Sequence, residues 1–154
     1  MQKKIFTLLL FLFLSSCGYE AVYSKKNSKN YNFFISKLNF AGDRDINLRM
    51  KESLNNFTFN EKNKNFALKI SNSSTKEIAA KNTLGDAVTF KNTIATNIEV
   101  SMNGEFKNSF VIVESFTYNN NSNRFNLKRY EKEIKNNLAE TITDKLILKL
   151  SNIQ

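Results

Sequence analysis

Few side chains in this sequence could perform chemistry. Among 154 residues there is one cysteine, Cys17, and no histidine, so the usual general base, thiolate nucleophile and transition-metal ligands are scarce. The four glycines form no phosphate-binding loop, dinucleotide fingerprint or Gly-Xaa-Ser-Xaa-Gly elbow. Two carboxylate pairs remain. Glu131 and Glu133 fall on different faces of a predicted helix, Glu140 and Asp144 are four residues apart on an exposed face, and a solvated helix face explains both pairs better than catalysis does. The sequence therefore predicts a protein that is not an enzyme and has no catalytic residue, cofactor or metal site.

The thiol of Cys17 follows an apolar N-terminal run. Two lysines precede this run, which extends from Ile5 to Leu14 and is interrupted only by Thr7. About ten residues are too few for a membrane-spanning helix, which needs about twenty, and a basic N-terminal flank is typical of an export signal. The segment therefore predicts secretion rather than anchoring by a helix.

The end of the apolar run, Leu14-Ser15-Ser16-Cys17, resembles the lipobox of bacterial lipoprotein precursors. The resemblance implies that the thiol receives a diacylglycerol, that the chain is cut before Cys17, and that the new amino group is acylated. Each buried methylene contributes about 0.8 kcal/mol, so three acyl chains would hold the protein on a membrane permanently. We therefore expect residues 1–16 to be a lipoprotein signal peptide and Cys17 to be the lipid-attachment site; the alternative is a free cysteine beside an ordinary signal peptide. Gly18 replaces the Asp that tends to retain lipoproteins at the inner membrane, which favours the cell outer membrane.

The composition gives a cationic mature chain that must be stabilised by an apolar core. Cleavage would remove Lys3 and Lys4 and leave 21 Lys and Arg against 14 Asp and Glu, a net charge of +7. With Cys17 acylated, no thiol remains for a disulfide. The positive charge favours contact with the phosphates of lipid head groups, lipopolysaccharide or nucleic acid. An AT-rich genome would also explain 19 Lys and 24 Asn, and export makes nucleic acid an improbable partner.

The mature chain divides into a tether and one folded domain. Residues 17–31 are polar and basic and predict a lipidated tether, whereas residues 32–154 contain the periodic apolar patterns of a single domain. Residues 33–40 alternate imperfectly and predict a strand. A helical face follows after Gly42, capped by Asp43 or Asp45. Its apolar residues, at steps of four, four and three, are Ile46, Met50, Leu54 and Phe57.

The second half of the domain predicts three strands and a long helix. A strand covers residues 66–70, and two long strands between Ala87 and Tyr118 are joined by a tight turn at Asn103-Gly104. On these two strands, one face is expected to carry Val88, Phe90, Ile94, Ile98, Val100, Met102, Phe106, Phe110, Ile112, Phe116 and Tyr118. The last helix is expected to bury Leu127, Tyr130, Ile134, Leu138, Ile142, Leu146 and Leu150. This order of elements predicts an α+β fold, a two-layer sandwich with a four-stranded, mostly antiparallel sheet and two helices packed on one face.

Several short segments resemble the lipopolysaccharide-assembly lipoproteins of the LptE family. The string SSCGYEAVYS is similar to the Cys-Gly-aromatic start of that family, with Ala21 where the family often has Pro. INLRMKESL resembles its Asn-Xaa-Leu-Arg-Xaa-Xaa-Leu helix start, AVTFKNTIATNIEVSMNG resembles its Thr/Ala-rich strand pair, and VIVESFTYNNNSNRF resembles the Ser-Xaa-Xaa-Tyr segment that follows. The closing YEKEIKNNLAETITDKLILKL is similar to the Glu-rich C-terminal helix. The resemblance extends over nearly the whole chain.

Membership of that family would imply a plug inside an LptD-type outer-membrane β-barrel, with a role in barrel folding and in delivery of lipopolysaccharide to the outer leaflet. A tethered, cationic, Asn-rich domain suits a polar barrel lumen. The alternative is an envelope lipoprotein that serves as an accessory subunit of another outer-membrane or cell-wall machine. Four cations flank the predicted strand ends and the loop before the last helix, and each is either a lipopolysaccharide phosphate contact or a solvated charge. They are Lys81, Lys91, Arg124 and Lys128.

Overall fold

The computed structural model describes residues 31–59 and 61–153. Residues Asn32–Gln154 form one compact unit; the predicted signal peptide, Cys17 and all of the tether except its last residue lie outside the described residues. The elements are β1 (Phe33–Gly42), α1 (Arg44–Leu54), a 3-10 turn (Asn55–Phe57), β2 (Lys64–Lys81), β3 (Ala87–Met102), β4 (Glu105–Asn119) and α2 (Arg124–Ser151).

The four strands form one sheet in the order β1-β2-β3-β4. β1 is parallel to β2, whereas β2–β3 and β3–β4 are antiparallel pairs. Parallel neighbours require a crossover connection, and α1 provides it. Both helices pack on one face of the sheet and against each other, so the predicted α+β fold is confirmed. Neither helix in the described ranges is long and apolar enough to cross a membrane.

The core lies between the helices and two paired segments of the sheet, the first half of β2 and the second half of β3. The predicted face of α1 is confirmed for Ile46, Met50 and Leu54, which are at most 1% exposed. Its fourth predicted residue, Phe57, lies beyond the helix in the 3-10 turn and is only half-buried. The predicted face of α2 is buried only from Ile134 onward, whereas Tyr130 near the helix start is 44% exposed. The buried sheet residues opposite the helices include Phe66, Leu68, Ile70, Ile94, Ile98 and Val100.

β2 is much longer than its sequence pattern predicted. The alternating apolar residues end at Ile70, but the strand continues to Lys81 as the antiparallel partner of β3. Its last seven residues are exposed because the helices do not cover this end of the sheet. Backbone pairing with β3 therefore keeps this segment in a strand, although neither of its faces has a regular series of apolar side chains.

The predicted turn is confirmed, but its neighbours are placed differently from expectation. Asn103 and Gly104 both have positive φ, 53° and 88°, as a tight hairpin turn requires. A register shift after Val100 pairs Phe106 with Ser101, so Phe106 leaves the core side and is 65% exposed. Phe116 keeps its predicted side yet is 46% exposed, because β4 is an edge strand that α2 covers only in part.

Asp43 both caps α1 and joins the two helices. Its Oδ1 accepts hydrogen bonds from the backbone N–H groups of Asp45 and Ile46, and its Oδ2 accepts one from Lys135 on α2 at 2.9 Å. Burial opposes ionisation of the carboxyl, but the hydrogen bonds from Lys135 and Ile46 outweigh it and lower the pKa of Asp43. Of the two predicted caps, Asp43 is therefore the one used.

We expect Asp43→Ala to lower the free energy of unfolding at pH 7 by about 1–2 kcal/mol, because it removes both the cap and the ion pair. Asp43→Asn keeps a good capping side chain and should cost less. Because the folded-state pKa is lowered, the contribution of the charge is complete above the unfolded pKa of about 3.9 and is lost as the pH falls through the folded-state value. Urea denaturation at pH 7 and pH 3 measures the free energy of unfolding of the parent and of Asp43→Asn. If these two free energies differ by the same amount at both pH values, the predicted contribution of the charge is contradicted.

Candidate binding surface at the tip of the sheet

The β2–β3 hairpin ends in a turn that is tightly held by Asn82. The backbone N–H of Asn82 donates to the carbonyl of Asp86 at 2.9 Å, and its side-chain Oδ1 accepts from the N–H groups of Leu84 and Asp86 at 3.0 and 2.8 Å. This ordered turn leaves Leu84 85% exposed. A large apolar side chain is thus presented to the surroundings on a rigid support.

The C-terminal end of β4 and the start of α2 lie beside this hairpin. Asn120 joins them, because its backbone N–H donates to the carbonyl of Val88 at 2.8 Å and its side-chain amide donates to the carbonyl of Ala87 at 2.9 Å. We call this end of the molecule the tip: the 82–86 turn, the strand residues next to it, the 120–123 loop and the first turns of α2. Its exposed apolar side chains are Ile78, Leu84, Val88, Phe116, Phe125 and Tyr130.

The four predicted phosphate contacts all belong to the tip. Lys81 is the last residue of β2 and pairs with Ala87, and Arg124 is the first residue of α2, one turn before Lys128. Lys91, on β3, lies 3.7 Å from Glu77 across the sheet. Within the described residues the other three have no carboxylate partner. These four residues are called the tip cations below.

A cluster of aromatic and charged side chains supports the tip from inside. The ammonium group of Lys76 lies 4.0 Å from the ring centroid of Phe90 and 2.5 Å from Glu131 Oε1. Tyr118 donates its hydroxyl to the same oxygen at 2.9 Å, and its ring packs edge-on against Tyr130 with centroids 6.0 Å apart. Burial and the adjacent Glu131 raise the pKa of Tyr118, so the hydroxyl remains a donor. Lys76 is neutralised here and is not available to an anionic ligand.

The carboxylates that could have formed catalytic pairs have separate partners. Glu131 accepts hydrogen bonds from Lys76 and Tyr118, and Glu140 forms an ion pair with Arg49 between the helices. Lys76 and Arg49 lie 55 and 91 residues away from these two glutamates in the sequence, and a helical pattern cannot reveal partners so distant. The interpretation of these carboxylates as a solvated face was therefore wrong for Glu131 and Glu140.

The face of the sheet opposite the helices is polar over most of its width. Lys69 and Glu99 form a cross-strand ion pair there at 3.2 Å. The exception is the β4 edge, where Val111 and Val113 are 57% and 55% exposed. Register pairs from β2 and β3 place mainly small polar residues on this face, including Ser71, Ser73, Thr75, Thr93 and Asn97. The face of the sheet opposite the helices is therefore polar apart from its β4 edge.

The fold is similar to those of several bacterial lipoproteins of known structure. Rare lipoprotein B from Shewanella oneidensis matches with a TM-score of 0.56 and 13% identity, over 75% of this chain and 97% of that one. A minor lipoprotein from Acinetobacter baumannii matches with a TM-score of 0.56 and 8% identity, over 79% and 91% of the two chains. A putative lipoprotein from Caulobacter crescentus matches with a TM-score of 0.51 and 13% identity, over 79% and 89%.

Sequence comparison adds no relative to these structures. No family model matches the sequence, and no curated protein matches it. At identities of 8–13%, the similarity establishes the fold alone.

Proposed function

We propose that this chain is an outer-membrane lipoprotein that acts as the plug and partner of an LptD-type β-barrel and assists the assembly and transport of lipopolysaccharide. The observation that carries the proposal is the combination of a lipobox ending in Cys17 with a domain whose fold matches three bacterial lipoproteins. The short segments that resemble the LptE family narrow it to lipopolysaccharide assembly. In this role the protein binds and positions other molecules and catalyses no reaction.

The surface of the domain suits a polar barrel lumen. Side chains of Ser, Thr and Asn on the open face of the sheet can replace the hydrogen bonds of lumen water, and the ion pair between Lys69 and Glu99 neutralises part of the charge on that face. Within the described residues, three of the four tip cations, Lys81, Arg124 and Lys128, have no carboxylate partner. The sheet face therefore suits the barrel wall, and the tip suits an anionic ligand.

The tip combines the two properties that recognition of lipopolysaccharide needs. Its exposed apolar side chains, of which Leu84 is the most exposed, suit acyl chains. The tip cations suit the phosphates, since Arg and Lys form charge-assisted hydrogen bonds with phosphate oxygens. An amphiphile that carries phosphates next to its acyl chains would engage both at once.

Replacing all four tip cations with alanine should weaken lipopolysaccharide binding at least about tenfold, because several charge-assisted hydrogen bonds are lost. Binding of the lipidated protein in detergent to purified lipopolysaccharide measures this. A control variant removes the same number of Lys and Arg outside the tip. If both variants bind lipopolysaccharide equally weakly, the loss of affinity is an effect of net charge, and a specific site at the tip is contradicted. The control positions are Lys37, Arg44, Lys51 and Lys107.

A further inference from the structure

An open groove with a volume of about 650 Å³ lies between the end of β4 and the first turns of α2. Its lining includes two aromatic side chains and four polar or charged ones: Phe116, Tyr130, Asn119, Asn126, Arg129 and Glu133. Of the tip cations, neither Arg124 nor Lys128 lines it. The groove is thus a separate feature of the tip from the residues proposed to contact phosphate.

The fold uses some polar side chains of the groove, such as those of Tyr118 and Asn120, but leaves four others unused among the described residues. Among the described residues, Asn119, Asn126, Arg129 and Glu133 have no hydrogen-bond or ion-pair partner for their side chains. Together they offer two amides, a guanidinium and a carboxylate, which supply several donors and several acceptors within one concave site. Such a set matches a ligand with many hydroxyl groups rather than an apolar one.

Two exposed aromatic rings border the same groove. Phe116 and Tyr130 are 46% and 44% exposed, and Tyr130 is held in place by its edge-on contact with Tyr118. The face of an aromatic ring is electronegative and attracts polarised C–H groups. Sugar rings present such C–H groups on one face and hydroxyls around the rim, so an aromatic platform beside amide and charged groups suits a pyranose.

The charge near the groove favours an acidic sugar. Among the described residues, Arg129 is unpaired and Glu133 is the only carboxylate that lines the groove, and Arg124 and Lys128 belong to the same turns of α2. A guanidinium can accept a carboxylate or phosphate in a bidentate contact.

We propose that this groove binds an acidic saccharide, with Tyr130 stacking on a sugar ring, Arg129 pairing with its anionic group, and Asn119, Asn126 and Glu133 bonding to hydroxyls. The bacterial envelope supplies this chemistry from two sources: the core oligosaccharide of lipopolysaccharide and the glycan of the cell wall. The assignment depends on the groove alone and is independent of a barrel partner.

The test is isothermal titration of the full-length lipidated protein in detergent with two probes: core oligosaccharide freed of its lipid, and a soluble disaccharide–tetrapeptide from the cell wall. We expect one probe to bind, and which one binds identifies the source. Arg129→Ala should weaken binding about tenfold or more, and Tyr130→Ala about fivefold to tenfold. The matched controls are Lys132→Ala on the same helix and Phe106→Ala on β4, which remove an exposed cation and an exposed aromatic ring outside both the groove and the tip.

Three results would overturn the assignment: no binding of either probe, equal losses in the controls and the groove variants, or undiminished binding by Arg129→Ala. Because the side chain of Arg129 has no partner among the described residues, we do not expect a loss of binding in that variant to come from unfolding. Thermal unfolding of Tyr130→Ala identifies any loss caused by its contact with Tyr118. Co-purification of a barrel is scored separately, so a failed barrel partnership and a failed saccharide site give different results.

Discussion

Replacing Cys17 with alanine is expected to abolish acylation of the protein and to remove it from the outer-membrane fraction. Only the thiol can form the thioether to diacylglycerol, so no other residue of the lipobox can take its place. One acyl chain gives marginal, reversible membrane binding, whereas each further chain adds about 0.8 kcal/mol per buried methylene. The loss of membrane attachment should therefore be nearly complete.

Labelling cells with a radioactive fatty acid, followed by fractionation, measures the effect of Cys17→Ala. The matched control is Ser16→Ala, which keeps a small residue before the cysteine and should be labelled and sorted like the parent. Labelled Cys17→Ala protein, or an unlabelled parent, would contradict lipidation at this residue and favour a free cysteine beside an ordinary signal peptide.

Substitution of Gly42 by alanine is expected to be the most destabilising single change in the sheet. Gly42 has a φ of +87°, and a Cβ there would lie 1.9 Å from the backbone oxygen of Asn72 on the neighbouring strand. That oxygen also accepts a hydrogen bond from the backbone N–H of Asp43. The new methyl group must therefore push β1 away from β2 where α1 begins.

Displacement of Asn72 would also break hydrogen bonds between buried side chains. Asn72 is 3% exposed; its amide donates to Asn47 Oδ1 at 2.7 Å, and its Oδ1 accepts from the Thr96 hydroxyl at 2.6 Å. Buried polar groups that lose such partners pay the full cost of desolvation. Together with the unfavourable φ, these losses should lower the free energy of unfolding by about 3 kcal/mol or more.

Gly85 provides the matched control for Gly42. Its φ is +88°, but no atom lies within 4 Å of a Cβ built there, so Gly85→Ala should cost only the backbone strain of about 1–2 kcal/mol. Chemical denaturation of both variants separates strain from overlap. If both variants lose the same free energy of unfolding, the close approach of Gly42 to Asn72 makes no contribution to the effect.

The sequence predicted best those features that depend on local periodicity. The face of α1 formed by Ile46, Met50 and Leu54, the cap at Asp43 and the turn at Asn103-Gly104 each follow from a few neighbouring residues, and all are present. The sheet with two helices followed from the order of these elements. Local rules suffice where one face is buried and the turn chemistry is specific.

Features that depend on distant partners were not predictable from the sequence. The second half of β2 has no alternating series of apolar residues, and only its pairing with β3 makes it a strand. Glu131 has the pattern of a solvated helix residue, yet Lys76 and Tyr118 both reach it. The groove was missed for a similar reason, because Asn119 reads as an ordinary loop residue until α2 folds back beside it.

The surroundings of the tip cations were predictable from the sequence only in part. Their positions at strand ends and at the start of α2 could be inferred from the order of elements, which requires that these ends meet. The exposure of Leu84 and the partner of Lys91 could not, because both depend on how the hairpin extends past the helices. A tip that is apolar as well as cationic is therefore a result of the structure.

The most direct test of the central claim is mild-detergent purification of the tagged, lipidated protein from its own outer membrane, with mass spectrometry of what remains bound. A barrel plug should retain one large β-barrel protein at a ratio of one to one. Recovery of the acylated protein from the outer membrane without a barrel would contradict the proposed function and favour an accessory subunit of another envelope machine.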